Sequence, residues 1–436
     1  MTSIRAVHGR QVFDSRGRPT VEVEVTVADG TVARASVPSG ASTGTSEAQE
    51  LRDGDDALFN GLGVLNATNH VNREISAALA RHDVFDQGGC DAVLRDLDGT
   101  PNLARLGANA VLGTSLAVCR ASAAVANQPL YRRIAELAGV SQPTLPMPMV
   151  NILSGGLHAG RGMDVQDFLA VPVSATNVFD ALLLVGKVRD AATQVCAERG
   201  LPTLLADEGG LSPGCRTGRE ALELLVAAVE RAGLTPGVDI AIAIDVAAAS
   251  LYDANSRTYQ LRREGRSAST EEMIEMISSW VDDFPVISVE DGLDEEDWQG
   301  WRALTDAIGG RVRLVGDDLF TTNLDRVERG IAESCANGVL IKVNQNGTLT
   351  GTLDVIATAR KASYAPVVSA RSGETEDDLL ADLAVGTAAG QIKVGSVRSS
   401  ERLAKYNQLL RIAEDTSLEL SPIVLPDGGH ASGLSA

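Results

Sequence analysis

Four apolar runs in the sequence each stop at a charged residue: IAIAIDV at Asp245, PVISVED at Glu290, VRLVGDD at Asp317 and GVLIKVN at Lys342. Short aliphatic runs bounded by turn residues read as strands buried on both faces. Intervals of roughly 25 to 45 residues separate the charges, room for one strand, one helix and two loops. Units of this kind build a parallel barrel or doubly wound sheet. The C-terminal strand ends then gather side chains from separate units at one mouth. Three carboxylates gathered there, with no Cys or His among them, suit Mg2+ rather than Zn2+, and Lys342 sets a base beside them. An Asp in a βα loop can equally cap the following helix. Three acids in consecutive units, with a Lys in the next, favour the metal.

Composition narrows the rest. Of 436 residues, 44% are hydrophobic, so a large core needs no disulfide. The formal charge of −20 argues against nucleic acid or an anionic membrane as partner. An anionic substrate must then be met by local Arg, Lys or metal. Lysines are rare beside arginines, yet Lys342 and Lys393 both end apolar runs. Lys can lose its proton when desolvated, whereas Arg effectively cannot. Cys90, Cys119, Cys196, Cys215 and Cys335 form no CxxC pair and have no His at ligand spacing. Buried thiols in a reducing compartment are expected. The N-terminal sequence lacks an apolar h-region, and no uninterrupted apolar run reaches about 18 residues. The expectation is a soluble, cytoplasmic protein.

Thr20–Val27 alternates with period two, and Thr31–Val37 follows the turn Asp29-Gly30, which predicts a meander. Helices are expected over 56–82 and 107–138. The segment SQPTLPMP, Ser141–Pro148, reads as a domain junction. Beyond it, strand-like and helical stretches alternate to about residue 412. The economical organisation is an N-terminal α+β lid or capping domain over 1–140 and a catalytic barrel over 141–436, ending in a frayed GGHASGLSA tail.

Three further segments carry candidate chemistry. Asp207-Glu208 precedes two glycines, exposing an acid above a tight turn; Glu208 serves as a general acid if its pKa is raised. Arg371-Ser372, ahead of a helix expected over Glu374–Gly390, offers an anion cradle, or Ser372 is simply an N-cap. The small-residue loops Pro38–Gly44 and Ser154–Gly162 read as mobile lids, the second holding His158.

These segments together resemble the enolase family nearly end to end. The resemblance rests on FDSRGRPTVEVEV (13–25), VPSGASTG (37–44), LGANAVLGTSLA (106–117), GGLHAG (155–160), DEGG (207–210), IDVAAA (244–249), GDDLFTTN (316–323), IKVNQNGTLT (341–350), RSGETED (371–377) and SERLAKYNQLLRI (400–412). It implies an α/β protein with an N-terminal α+β domain followed by an enolase-type modified (β/α)8 barrel, one strand of which runs against the others. It also implies a homodimer or dimer-based octamer, a small anionic phosphorylated carboxylate as substrate, and two Mg2+ per site. Carried over residue by residue, Asp245, Glu290 and Asp317 match the ligands of the first Mg2+ and Ser39 the lid residue of the second. Lys342 matches the base that takes the C2 proton, and Glu208 the acid that protonates the departing hydroxyl. Lys393 matches the partner of the substrate carboxylate, Gln166 a substrate contact, Arg371 and Ser372 the phosphate site, and His158 the closing loop. The cations and Lys393 are expected to lower the pKa of Lys342; enolase-superfamily sites are a known pattern of a Lys or His base with Mg2+.

The chain departs from the family pattern at Ala370, where His is usual, at Asp167, where Glu is usual, and at Gly292, Asn346 and Gly351. Ala370 and Asp167 are expected to open space at the leaving-group and phosphoryl end. A shift of about 1 Å there can cost on the order of a hundredfold with the usual substrate. The reading that follows is a hydro-lyase for a 2-phosphoglycerate analogue with an enlarged phosphoryl group, as in carboxyphosphonoenolpyruvate formation for phosphinate antibiotics. The alternatives are a housekeeping enolase acting on 2-phosphoglycerate and a catalytically inactive binding scaffold.

Overall fold

The computed structural model describes residues 2–40, 44 and 46–429. Residues 41–43 of the expected lid loop, and the tail from 430 onward, lie outside the described residues.

Strands β1 (Ile4–Phe13), β2 (Pro19–Val27) and β3 (Val32–Ser36) form an antiparallel meander in sequential order. Val21, Val23, Val25 and Val27 are buried, while Glu22, Glu24 and Thr26 on the opposite face are partly exposed, as the alternation predicts. The buried face packs on the helix Ala108–Val125. Gly113 permits that approach, since a Cβ there would lie 2.7 Å from Val23 Cγ2. This helix is long and apolar enough to cross a membrane by length and composition, but 83% of it is buried inside the protein; it is a core helix.

The expected helix over 107–138 is two helices, Ala108–Val125 and Leu130–Ala138. Asn127 at φ 50° and Pro129 break it. Over 56–82, the α-helix begins only at Leu65, after a 3₁₀ turn at Phe59–Gly61 in which all three residues take positive φ, and it contains a π-helical turn at Val71–Ile75.

The barrel strands are β4 (Met147–Ser154), β5 (Asp167–Val171), β6 (Ala241–Asp245), β7 (Val286–Glu290), β8 (Arg313–Gly316), β9 (Gly338–Ile341), β10 (Ala365–Ser369) and β11 (Gln391–Gly395). They close in the order β7-β8-β9-β10-β11-β4-β5-β6. Only β5 is antiparallel to its neighbours. The Pro-rich segment leads straight into β4, which contains Pro148. Met147, Met149, Leu169, Ala243, Ile287, Val315, Leu340 and Val367 fill the interior, and alternate residues pack outward on helices, as a filled barrel requires.

The N-terminal domain is tied to the barrel beside the Lys342 turn, and this explains two of the departures noted in the sequence. Arg95 Nη2 donates to Asn346 Oδ1 at 2.8 Å and Thr348 Oγ1 at 2.7 Å. At Gly351 a Cβ would come within 2.2 Å of Asn346 Oδ1 and 2.5 Å of Arg95 Nη2. The asparagine and the glycine therefore accommodate one another around the arginine. Gly347 ends the short helix Val343–Asn346 at φ +90°, and a Cβ there would lie 2.3 Å from Leu103 Cδ1 of the N-terminal domain. Gly347→Ala is expected to cost about 1–2 kcal/mol through its backbone conformation. Thermal unfolding should show a fall of about 1–2 °C, and an unchanged melting temperature would contradict this account.

Candidate active site

The closed barrel brings the predicted charges to one end because Asp245, Glu290, Asp317 and Lys342 each lie at or just beyond a strand terminus. Asp245 ends β6 and Glu290 ends β7, and the two are register partners in adjacent parallel strands. Asp317 follows β8, and Lys342 follows β9. Lys393 lies within β11, on the far side of the ring from β7. Its Nζ crosses the mouth to Asp245 Oδ2 at 2.8 Å and to both Glu290 oxygens at 2.7 Å. Lys342 Nζ donates to Asp317 Oδ2, and Gln345 Nε2 donates to Asp317 Oδ1 at 2.9 Å.

Burial and charge set the protonation pattern. Against the cost of burial, Lys393 holds Asp245 below the usual aspartate range and Lys342 does the same for Asp317. Burial and the neighbouring Asp245 push Glu290 well above its usual range. Burial also opposes the charge on Lys342, but the carboxylates around it, Asp317 foremost and then Glu290, together outweigh it and the pKa is raised. This corrects the expectation of a lowered value: Lys393 does act in the lowering direction, yet its contribution is smaller than that of Asp317.

Two tighter clusters have ligand atoms within 4.8 Å of one another: Asp291–Asp317–Asp318 and His158–Asp167–Glu208. Reading strand tips alone missed Asp291 and Asp318, the second acids of VED and GDD. Asp291 accepts from the backbone N of Asp317 at 2.9 Å and of Asp318 at 2.8 Å, so it fixes the loop that presents Asp317. Burial and Asp317 push Asp318 up to about 7. A set of hard oxygen donors carrying more acid than Lys342 and Lys393 balance fits a divalent cation such as Mg2+; among the described residues Asp291, Asp317 and Asp318 form an acidic cluster that could hold one.

Glu208 and His158 line a cavity of about 230 Å³ with Gln166, Lys342, Lys393, Ala370, Arg371 and Ser372. Gln166 Nε2 donates to Asp245 Oδ2 at 3.1 Å. His158 Nδ1 stands 3.6 Å from Glu208 Oε1 and 3.7 Å from Asp167 Oδ2. Although burial opposes ionisation, His158, Arg402 and both lysines hold Glu208 below its usual range. The raised value expected of a general acid is therefore not found at Glu208. It is found at Asp167, pushed up by burial. Asp167 does not reach the cavity wall. Its Oδ1 accepts from Asn151 Nδ2 at 2.5 Å and Ser154 Oγ at 2.9 Å, which anchors the short side chain beneath His158. Of the two departures expected to enlarge the site, Ala370 does line the cavity and Asp167 does not.

Arg371 is an interdomain residue: its Nη1 donates to Glu47 at 2.9 Å and to Asn344 Oδ1 at 3.0 Å. No helix begins at Ser372. The helix after it spans Leu379–Gly386, because residues 371–378 form a loop held to the N-terminal domain by the Ser39–Gly373 bridge. The helix N-terminus expected to complete the anion cradle, and the N-cap role of Ser372, are both corrected. Arg402, fully buried and unremarked in the sequence reading, props this loop by donating to the carbonyls of Arg371, Ser372 and Val394.

Residues 4–134 match the family described as "Enolase, N-terminal domain", and residues 142–421 match "Enolase, C-terminal TIM barrel domain". The chain is 50% identical over 412 residues to "Enolase 1" of Desulfitobacterium hafniense (strain Y51), covering 94% of this chain and 93% of the relative. The chain belongs to the enolase family and is a carbon–oxygen hydro-lyase.

The raised pKa of His158 has a definite sign. Burial disfavours its charge, but Glu208 and Asp167 outweigh burial and lift it above the ordinary 6.5. A raised folded-state pKa contributes stability that is complete below about 6.5 and is lost as pH rises through the folded value. The melting-temperature gap between the wild type and His158→Gln should therefore be largest in mild acid and shrink with rising pH. A gap that is constant with pH would show that the ring acts by packing alone.

Proposed function

We propose that this enzyme dehydrates 2-phosphoglycerate to phosphoenolpyruvate, with Lys342 as the base that takes the C2 proton. The observation that carries this reading is the pairing of two lysines, Lys393 buried and Lys342 half-buried, with acidic strand ends around one small cavity, in a chain whose relative at 50% identity is named "Enolase 1". Lys342 offers the amine, and Lys393 places a second positive charge where the substrate carboxylate would lie. Arg371 and Ser372 are proposed to receive the phosphoryl group, with Gln166 and His158 closing over the substrate. Asp245, Glu290 and Asp317 would hold one Mg2+ and Ser39 would serve a second. Bound there, these ions would stabilise the charge that develops on the carboxylate when C2 is deprotonated.

At the other end of the substrate, Glu208 faces the cavity and Asp167 lies behind His158. With Glu208 ionised and Asp167 the better proton holder, the proton for the departing hydroxyl is proposed to be drawn from this trio as a unit. A homodimer or dimer-based assembly is the family habit and is proposed here on that ground.

One observation favours a second reading. Ala370 lines the cavity and is 8% exposed, so a methyl group stands where the family usually carries an imidazole. The freed volume suits an analogue with a larger phosphoryl substituent, as in carboxyphosphonoenolpyruvate formation. Purified enzyme with Mg2+ should form phosphoenolpyruvate from 2-phosphoglycerate at ordinary enolase rates if the first reading holds. Failure to do so, together with a gain in turnover in Ala370→His, would transfer the assignment to the second. Lys342→Ala should slow exchange of the substrate C2 proton by about 10²–10⁴-fold, the contribution of a positioned base. Exchange at the wild-type rate would remove Lys342 from the mechanism.

A further inference from the structure

Thr321 and Thr322 are both buried, and both hold left-handed backbone, at φ 46° and φ 47°. β-branched residues rarely adopt that conformation, and backbone strain of this kind gathers at functional sites. The loop after β8 turns tightly here, with Thr321 N donating to Asp317 O at 2.7 Å. The turn brings the Thr322 hydroxyl to the residue that follows β9. Lys342 N donates to Thr322 Oγ1 at 2.9 Å. Thr322 Oγ1 in turn donates to Gln345 Oε1 at 2.7 Å, with the Leu340 carbonyl 3.3 Å away.

Gln345, itself buried, carries the connection on. Its Nε2 donates to Asp317 Oδ1 at 2.9 Å and reaches Glu47 Oε1 at 3.3 Å. The other carboxylate oxygen of Asp317 accepts from Lys342 Nζ. The contacts close on themselves, from the backbone of Lys342 through Thr322, Gln345 and Asp317 to the ammonium of the same lysine. A lysine stem is flexible, so its amine is placed only when both ends are held. A hydroxyl can accept on one side and donate on the other, which a methyl group of the same shape cannot do.

We propose that Thr322 is a positioning residue for Lys342: its hydroxyl fixes the start of the lysine stem directly, and the Asp317 carboxylate at the far end by way of Gln345. This rests on the reading of Lys342 as the base that takes the C2 proton. The left-handed threonine is kept for where it puts its hydroxyl.

The test compares Thr322→Val, which keeps the β-branched shape and loses the hydroxyl, with Thr322→Ser, which keeps the hydroxyl and loses the methyl. With 2-phosphoglycerate and Mg2+ in D2O, Thr322→Val should slow exchange of the C2 proton about ten- to a hundredfold while KM stays within about twofold, the split expected when a reacting group is displaced and substrate binding is not. Thr322→Ser should stay near the wild-type rate. Equal losses in the two variants would show that packing of the methyl decides, and would overturn the proposal. Because Thr322→Val leaves Lys342 N and Gln345 Oε1 without this partner, Gln345→Met is measured beside it and should slow exchange in the same way. Wild-type exchange in either Thr322→Val or Gln345→Met overturns the proposal, as do losses that multiply in the double variant, since members of one unit should not add. Lys342→Ala under the same conditions separates the two readings. If it exchanges at the wild-type rate, the assignment of the base itself is wrong, whereas slow exchange there with normal exchange in Thr322→Val refutes only the positioning role.

Discussion

The ammonium of Lys393, stretched across the barrel mouth to Asp245 and Glu290, is the interaction on which the site depends. Carboxylates enclosed in protein carry a heavy desolvation cost, and removing one partner of such a group leaves the other uncompensated. Lys393 offsets part of that cost at two strands at once, and Lys342 does so for Asp317. The layered aliphatic interior below them keeps the strand ends in place. Apolar packing thus fixes the geometry, and the excess of acid over base above it fixes what the mouth attracts.

The mouth is finished by the N-terminal domain. Glu47 pairs with Arg371, and Ser39 bridges to Gly373. Both contacts fall on the loop 371–378. Arg402 supports that loop from behind through two of its carbonyls and links it to β11 through a third, that of Val394. The Arg371 end of the cavity is therefore shaped by groups from three distant stretches of chain, and the Lys342 end mainly by the ends of barrel strands.

This division explains what the sequence revealed. Strand ends with a charge after an apolar run are local patterns, so Asp245, Glu290, Asp317, Lys342 and Lys393 were legible from residue order and from the family resemblance. The antiparallel strand came from the resemblance and not from periodicity. Glu47 and Arg402 were not legible, since a lone charged side chain says nothing of partners remote in the sequence. The raised pKa that a general acid at Glu208 calls for was not legible for the same reason: burial lifts Asp167, whereas at Glu208 burial is outweighed by His158, Arg402, Lys393 and Lys342, and that arrangement exists only in the folded chain. The expected helix at 374 failed because tertiary bonds to the N-terminal domain hold that backbone extended.

The reversed direction of β5 carries a consequence of its own. Its seven parallel counterparts bring their last residues to the mouth, whereas β5 brings its first, so the hairpin from Ser154 to Gln166 is anchored at both feet on the active rim. Asp167 pairs with Asp245, and Phe168 with Ile244. Successive side chains in a strand face opposite ways, so sliding β5 by a single position would exchange a carboxyl group for a phenyl ring beneath His158. Insertions at the tip of that hairpin leave the frame untouched, while one at either foot would rewrite the chemistry of the rim in a single step.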